Sequence, residues 1–270
     1  MTVMHAMAVA AAAIAALMVT TWIASLIARD ASLVDRVWGL GFVVVAGAVR
    51  LADSVPVTTV ELLLVASVTI WGLRLSGYLW WRNSKTGEDY RYVAMRKKYG
   101  SKFGLISLVT VFATQGVLMW IVSLPLQFGQ VGNAQRWPIA AVGLALWIIG
   151  FGFEAIGDAQ LAAFKADPAN QGATMNKGLW AWTRHPNYFG DATLWWGIGL
   201  ISAATFTKWW WLVALIGPAV MNVLVRRVSG VTLLEHSLRK RRPGYEEYVR
   251  TTSPFIPMPP GTYRQRRNNT

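Results

Sequence analysis

Seven stretches of this chain stay apolar for about 20 residues each, the length an α-helix needs to cross a bilayer. No other feature constrains the fold as strongly. They fall at 6–28, 34–52, 59–82, 104–128, 137–163, 187–206 and 208–228. A segment in hydrocarbon must satisfy its own backbone hydrogen bonds, so helices are required and open sheets are excluded. Composition agrees: 54% of the 270 residues are hydrophobic and 14% are charged, where soluble domains carry about 25% charge. The expected fold is an all-α polytopic membrane protein with about seven transmembrane helices, forming a single domain over 1–260. The first stretch has no basic leading region and no cleavage site, so it reads as a retained helix and not as a signal peptide.

Lys and Arg then orient the helices. Segment 82–102 carries Arg82, Lys85, Arg91, Arg96, Lys97, Lys98 and Lys102. Segment 164–186 adds Lys165, Lys177 and Arg184, and ten more basic residues follow from Arg226 onward. The alternate connections hold only Arg136 and Lys208, with Arg50 near a helix end. By the positive-inside rule the N-terminus lies outside and the C-terminus in the cytoplasm. The expected location is an inner membrane, with any site for a charged cofactor facing the cytoplasm. The net charge of +13 is thus topological, and nucleic acid is not an expected partner.

Several chemistries drop out at once. The chain has no cysteine, which excludes disulfides, thiolate metal sites and cysteine nucleophiles. Its three histidines have no ligand at metal-binding spacing, so no metal is expected. Rossmann, Walker and G-x-S-x-G signatures are missing. Segment 229–250 is partly amphipathic and reads as a cytoplasmic helix. Pro254, Pro257, Pro259 and Pro260 then end regular structure. Residues 261–270 read as a basic disordered tail.

Ionisable groups inside apolar spans are functional-site hypotheses by default. Asp35 and Arg36 open the second span, where they also suit a helix cap. Arg74 lies within the third span with Tyr78 one turn on, and Asp35 is a plausible partner for Arg74, which could equally snorkel to the interface. Gln115 sits mid-span in the fourth, where its amide suits a bond to a neighbouring helix. Glu154 and Asp158 are an i, i+4 acidic pair on the fifth, a repulsive arrangement that asks for donors. The densest cluster is "TRHPNYFGD": Arg184, His185, Asn187, Tyr188 and Asp191 against a Trp-rich apolar segment.

That cluster, the acidic helix before it and the later "RRVSGVTLLEHSLRKRRPGYEEYVRTTSPFIP" resemble the membrane reductase family of steroid 5-alpha-reductases and sterol delta-14 and delta-7 reductases. Isoprenylcysteine carboxyl methyltransferases share the same tail. "DRVWGLGF", "WGLRLSGYLWWRN", "GEDYRY" and "FATQGVLMW" resemble a largely bacterial 5-alpha-reductase-like branch. The resemblance implies substrate-side helices over 1–130 and an NADPH-binding half over 137–256. It implies cofactor contacts from Glu154, Asp158, Lys165, Arg184, His185, Asn187, Tyr188 and Asp191, and from Arg226, Arg227, Glu235, Tyr245 and Tyr248 in the closing segment. The steroid reductases also carry a Gln-Glu pair beside the reacting enone, and this chain has none. Asp35, Arg74 and Tyr78 are the candidate catalytic residues in its place. The implied activity is NADPH-dependent reduction of a conjugated carbon–carbon double bond in a lipophilic substrate taken from membrane lipid. A methyltransferase using S-adenosylmethionine and a non-enzymatic lipid-binding protein are the alternatives.

Overall fold

The computed structural model describes residues 1–84, 87–228, 235 and 244–263, and every regular element among them is helical. Most of the amphipathic segment 229–250 and all of the tail from 264 lie outside the described residues. Four helical stretches are long and apolar enough to cross a membrane: Val3–Ala28, Thr59–Asn83, Tyr90–Val122 and Trp137–Ala166. The second expected span forms a shorter apolar helix, Trp38–Leu51, and the sixth forms Pro186–Ala203. The stretch 208–228 is not one helix but is broken into Trp211–Ala214, Ile216–Val223 and a π-type segment Leu224–Val228.

The chain packs as two compact units, 1–141 with 198–217 and 142–197 with 218–270. This partition differs from a simple division into N- and C-terminal halves, because residues 198–217 belong with the first unit.

In the first unit, α1 (Val3–Ala28) starts where the Thr2 side chain accepts the His5 amide. It buries Ala6, Ala10, Ile14, Met18, Thr21 and Ser25, a stripe at three- and four-residue spacing. Its opposite face exposes Val19, Ile23, Leu26 and Ile27, the last 82% exposed. A water-soluble helix would be polar there; a helix apolar all round belongs against lipid. After the short α2 (Leu33–Arg36), α3 (Trp38–Leu51) packs on α4 (Thr59–Asn83). A reciprocal capping box between Thr58 and Glu61 begins α4.

α5 (Tyr90–Tyr99) ends at Gly100, which takes φ +55°, a conformation that glycine adopts without strain. Beyond it lie α6 (Phe103–Ser107), a π-type segment Leu108–Ala113 and α7 (Thr114–Val122). Gln115 Nε2 donates to the Tyr92 hydroxyl at 3.2 Å across a separation of 23 residues. A straight helix would hold those residues about 35 Å apart, so the chain reverses at Gly100 and α5 folds back along α6 and α7. The apolar span therefore starts at Phe103, close to the expected 104. α8 (Leu124–Gly129) completes this run.

In the second unit, residues 142–166 of α9 (Trp137–Ala166) and 186–197 of α10 (Pro186–Ala203) pack along a seam of glycines. Gly143, Gly150 and Gly157 recur every seven residues, as do Gly190 and Gly197, a spacing that keeps them on one face. A Cβ on Gly150 would strike the backbone of Gly190 and Leu194; one on Gly190 would strike Gly150 and Glu154; one on Gly197 would strike Gly143 and Trp147. Small residues at such crossings let helix backbones touch, the usual means of association in a membrane. α11 (Trp211–Ala214) belongs to the first unit, while most of α12 (Ile216–Val223) and all of α13 (Tyr245–Thr251), the last helix described, belong to the second.

Candidate functional site

The glycine seam decides which polar residues of the second unit meet. Gly157 sits against Pro186 and the Asn187 amide, which brings the acidic face of α9 to the first turn of α10. Asp158 accepts a hydrogen bond from Asn187 Nδ2 at 3.0 Å, and Glu154 and Asp158 are both buried. The donor that the acidic pair was expected to need is thus supplied in part by the RHPNY segment itself.

The loop leading into α10 is pinned from two sides. Gln160 Oε1 accepts the Leu179 amide at 2.9 Å, and Trp180 Nε1 donates to the Gly157 carbonyl at 3.0 Å. From the other side the C-terminal segment straps it down. Arg184 N donates to Ser253 O, the Thr183 hydroxyl to Phe255 O and Met258 N to Trp182 O, each at 2.9 Å. The Tyr248 hydroxyl donates to Trp180 O. Burial pushes that hydroxyl above the ordinary tyrosine range, so it remains a neutral donor.

Within this cage Arg184 is 6% exposed and His185 only 1%. Arg184 Nε lies 2.8 Å from Glu235 Oε1, an ion-pair distance that is off line for a hydrogen bond, and Nη1 donates to Val249 O at 2.9 Å. His185 Nε2 is 3.0 Å from the same carboxylate oxygen, and its ring stacks on Tyr188 with centroids 5.6 Å apart. Burial holds the imidazole pKa below its ordinary value, with Glu235 pulling the other way. The neutral ring directs Nε2–H at Glu235, which leaves Nδ1 an acceptor.

These side chains border a cavity of about 120 Å³. Its wall joins Leu161, Phe164 and Lys165 of α9, the loop residues Ala173, Thr174, Met175 and Trp180, then Arg184, His185, Tyr245 and Tyr248. A second cavity of about 250 Å³ shares Thr174 and Tyr248 with the first and adds Asn176, Glu247, Thr251 and Thr252.

The expected cofactor residues therefore fall into groups. Lys165, Arg184, His185, Tyr245 and Tyr248 line the first cavity, and Glu235 ties two of them together. Glu154, Asp158 and Asn187 belong to the buried α9–α10 seam, with Asp191 one turn beyond Asn187. Arg226 and Arg227 are exposed, and the Arg226 guanidinium lies 5.0 Å over the Phe255 ring. Thr174 was not expected; a lone threonine in a polar loop carries no signal of its own.

The candidate catalytic set divides differently. The Arg74 guanidinium lies 5.2 Å over the Tyr78 ring, as their i, i+4 spacing implies, and Arg82 lies 5.5 Å over the same ring. Asp35 meets residues outside that set: Arg91 Nη2 at 2.7 Å, the Tyr92 hydroxyl at 3.0 Å and Gln115 Nε2 at 3.4 Å. The Gln115 amide thus bonds a neighbouring helix, as expected. Arg91 and Tyr92 read from sequence as part of a basic connection, and only the reversal at Gly100 brings them to Asp35. Among the described residues no group of His, Asp and Glu is arranged to hold a metal ion.

Fold and site together define a multi-helix protein of the membrane class with a buried polar constellation built on its C-terminal unit. Residues 21–252 match the family described as Protein of unknown function (DUF1295), and the chain belongs to that family. No curated protein matches it, and no solved structure does.

Proposed function

We propose that this protein is an NADPH-dependent reductase of the steroid 5-alpha-reductase-like kind, acting on a double bond conjugated to a carbonyl in a lipophilic substrate. In this reading seven helices cross an inner membrane, with the N-terminus outside and the cofactor site on the cytoplasmic face. The observation that carries it is the Arg184–His185–Glu235 constellation, nearly closed to solvent and bordering a cavity with Lys165 and two tyrosines. Burying that much charge is costly, and a ligand with phosphates, hydroxyls and an amide gives it a use.

The residues fit a dinucleotide part by part. An engineered cavity of about 150 Å³ takes benzene, so the first cavity is of single-ring size, and its walls of Trp180, Tyr245 and Tyr248 suit a planar group. The second, with Asn176, Thr251 and Thr252, suits ribose hydroxyls, and Lys165 suits a phosphate. When bound, NADPH supplies the hydride. The chain's own task is then to orient that ring, exclude water and stabilise the enolate oxygen that develops on the substrate. Tyr78, beside Arg74, is the candidate donor to that oxygen, and such a donor is worth about 3–4 kcal/mol. Tyr78→Phe should therefore slow turnover on the order of a hundredfold or more. Full turnover in both Tyr78→Phe and Asp35→Ala would remove this assignment.

The shared Arg-His-Pro tail keeps an S-adenosylmethionine-dependent methyltransferase as the rival. Equilibrium binding to the purified protein separates the two: the reductase reading expects NADPH to bind and S-adenosylmethionine not to. The reverse result would overturn it.

A further inference from the structure

The first unit sorts its charges around α5. Four acids lie on the connections at that end, and each is tied to an arginine. Asp30 accepts from Arg36 at 2.7 Å, Asp35 from Arg91 Nη2 at 2.7 Å, Glu88 from Arg96 at 2.7 Å and Asp89 from Arg91 Nε at 2.9 Å. Arg29, Lys97, Lys98 and Lys102 stay exposed, and none of the four has an ion-pair partner among the described residues. The fold gathers them. Arg96 Nη2 donates to the Arg29 carbonyl at 3.4 Å, and the same guanidinium lies 4.6 Å over the Phe103 ring. The end of α1, the last turn of α5 and the start of α6 therefore meet around Arg96. Like charges brought together without an anion repel one another.

Just inside this patch the surface turns apolar. Trp22 Nε1 donates to the Gly104 carbonyl at 2.9 Å, and a Cβ on Gly104 would lie 3.1 Å from Leu26 Cδ2, so α1 and α6 run side by side there. Ile27 is 82% exposed and Leu105 73%, with Ile23 and Leu26 exposed beside them. Arg29 carries a separate signal. It closes α1 at φ +53° and is the one non-glycine residue with positive φ among the described residues. That conformation suits glycine or asparagine at a helix end, so the backbone alone gives no reason for an arginine.

We propose that this patch binds an anionic phospholipid. Arg29 and Lys102 hold its phosphate, with Lys97 and Lys98 beside them, and its acyl chains lie against Ile23, Ile27 and Leu105. Clusters of Lys and Arg at the end of a membrane helix attract anionic headgroups in this way. A zwitterionic lipid brings a cation with its phosphate and is disfavoured beside four unpaired cations. Basic side chains that merely snorkel to water make no such choice of headgroup. The inference rests on the membrane class of the protein and not on the reductase reading.

The test is lipid retention by the full-length protein. It is purified in detergent holding equal amounts of phosphatidylglycerol and phosphatidylcholine with the same acyl chains, and the bound lipid is extracted and counted by mass spectrometry. The wild-type protein should retain phosphatidylglycerol at least about tenfold over phosphatidylcholine. Each basic side chain at a membrane surface contributes about fivefold, so Arg29→Asn with Lys102→Gln should bring the ratio below about threefold. Asparagine keeps the left-handed helix end. If that double variant nevertheless melts early, Lys97→Gln with Lys98→Gln, both exposed on α5, takes its place with the same fall expected. Arg136→Gln, beyond the far end of the span 104–128, should leave the ratio unchanged; an equal fall there would make the effect one of net charge and overturn the site. Equal retention of the two lipids by the wild-type protein overturns the inference, as does a preference that survives the double variant. Retention abolished by inorganic phosphate but not by chloride of equal ionic strength would assign the cations to a free anion, and also overturns it.

Discussion

At the scale of residues, His185 ties stability to pH. The folded-state pKa of His185 lies below its ordinary 6.5, so near that pH the unfolded chain binds more protons than the folded one. Stability is then fully present above about pH 6.5 and is lost as pH falls toward the folded pKa. Thermal unfolding should shift to lower temperature between pH 7.5 and 5.5, and the shift should be smaller in His185→Phe. An unchanged slope would show that other groups carry it. The ion pair makes a second prediction. Arg184 and Glu235 are buried, and removing one partner of such a pair costs about 3–5 kcal/mol because the other is left uncompensated. Glu235→Leu should therefore destabilise strongly, and Arg184→Met with Glu235→Leu should recover most of the loss. A double variant as unstable as the sum of the singles would mean the two residues do not act as a pair. Arg184 and His185 were legible in the sequence because polar groups against an apolar segment are conspicuous, whereas Glu235 sits in an amphipathic segment and was named only by the family resemblance. Arg91, Tyr92 and Thr174 were not legible, since each sits among polar neighbours and gains meaning only from what the fold brings beside it.

At the scale of elements, the long apolar helices were legible and their junctions were not. Hydropathy registers length and polarity, so it finds α1, α4 and α9. It cannot register that Gly100 reverses the chain, or that 208–228 breaks into short pieces. The glycine seam left a readable signal, the seven-residue recurrence of Gly143, Gly150 and Gly157 opposite Gly190 and Gly197, which hydropathy treats as neutral. The seam predicts opposite outcomes for one substitution type. Gly190→Ala places a Cβ into the backbone of Gly150 and Glu154 and should destabilise by about 1–3 kcal/mol. Gly152→Ala meets nothing within 4 Å and should be neutral or stabilise by about 0.4–1 kcal/mol. Melting temperatures of the two variants check this directly. Equal effects would show that the seam does not hold α9 against α10. Because the same seam joins Asp158 to Asn187, Gly190→Ala should also weaken any ligand bound near them.

At the scale of the whole molecule, the proposed seven-span arrangement makes a claim about sides. Basic residues crowd the connections 82–102 and 164–186, while 129–136 and the turn at Thr207 hold little beyond Arg136 and Lys208. Trp209, Trp210 and Trp211 are exposed beside that turn, with Trp209 and Trp210 stacked at 4.2 Å. Tryptophans of this kind mark a membrane–water boundary. A chain without cysteine is suited to the test, because single cysteines can be introduced and labelled from one side of sealed vesicles. Ser101→Cys and Asn176→Cys should react from the cytoplasmic side, and Ser54→Cys and Thr207→Cys from the other. If Ser101 and Thr207 labelled from the same side, the number of crossings between them would be even instead of odd. One of the three expected spans between them, 104–128, 137–163 or 187–206, would then not cross. The shortest helix of the three, α10, would be the first to doubt. Its 18 residues extend about 27 Å, just under the thickness of a bilayer's hydrocarbon core. A failure of α10 would leave Arg184 and His185 on the cytoplasmic face, whereas a failure of 104–128 or 137–163 would move them to the outer face, away from cytoplasmic NADPH. The sidedness of Asn176 therefore tests the proposed chemistry as directly as it tests the topology.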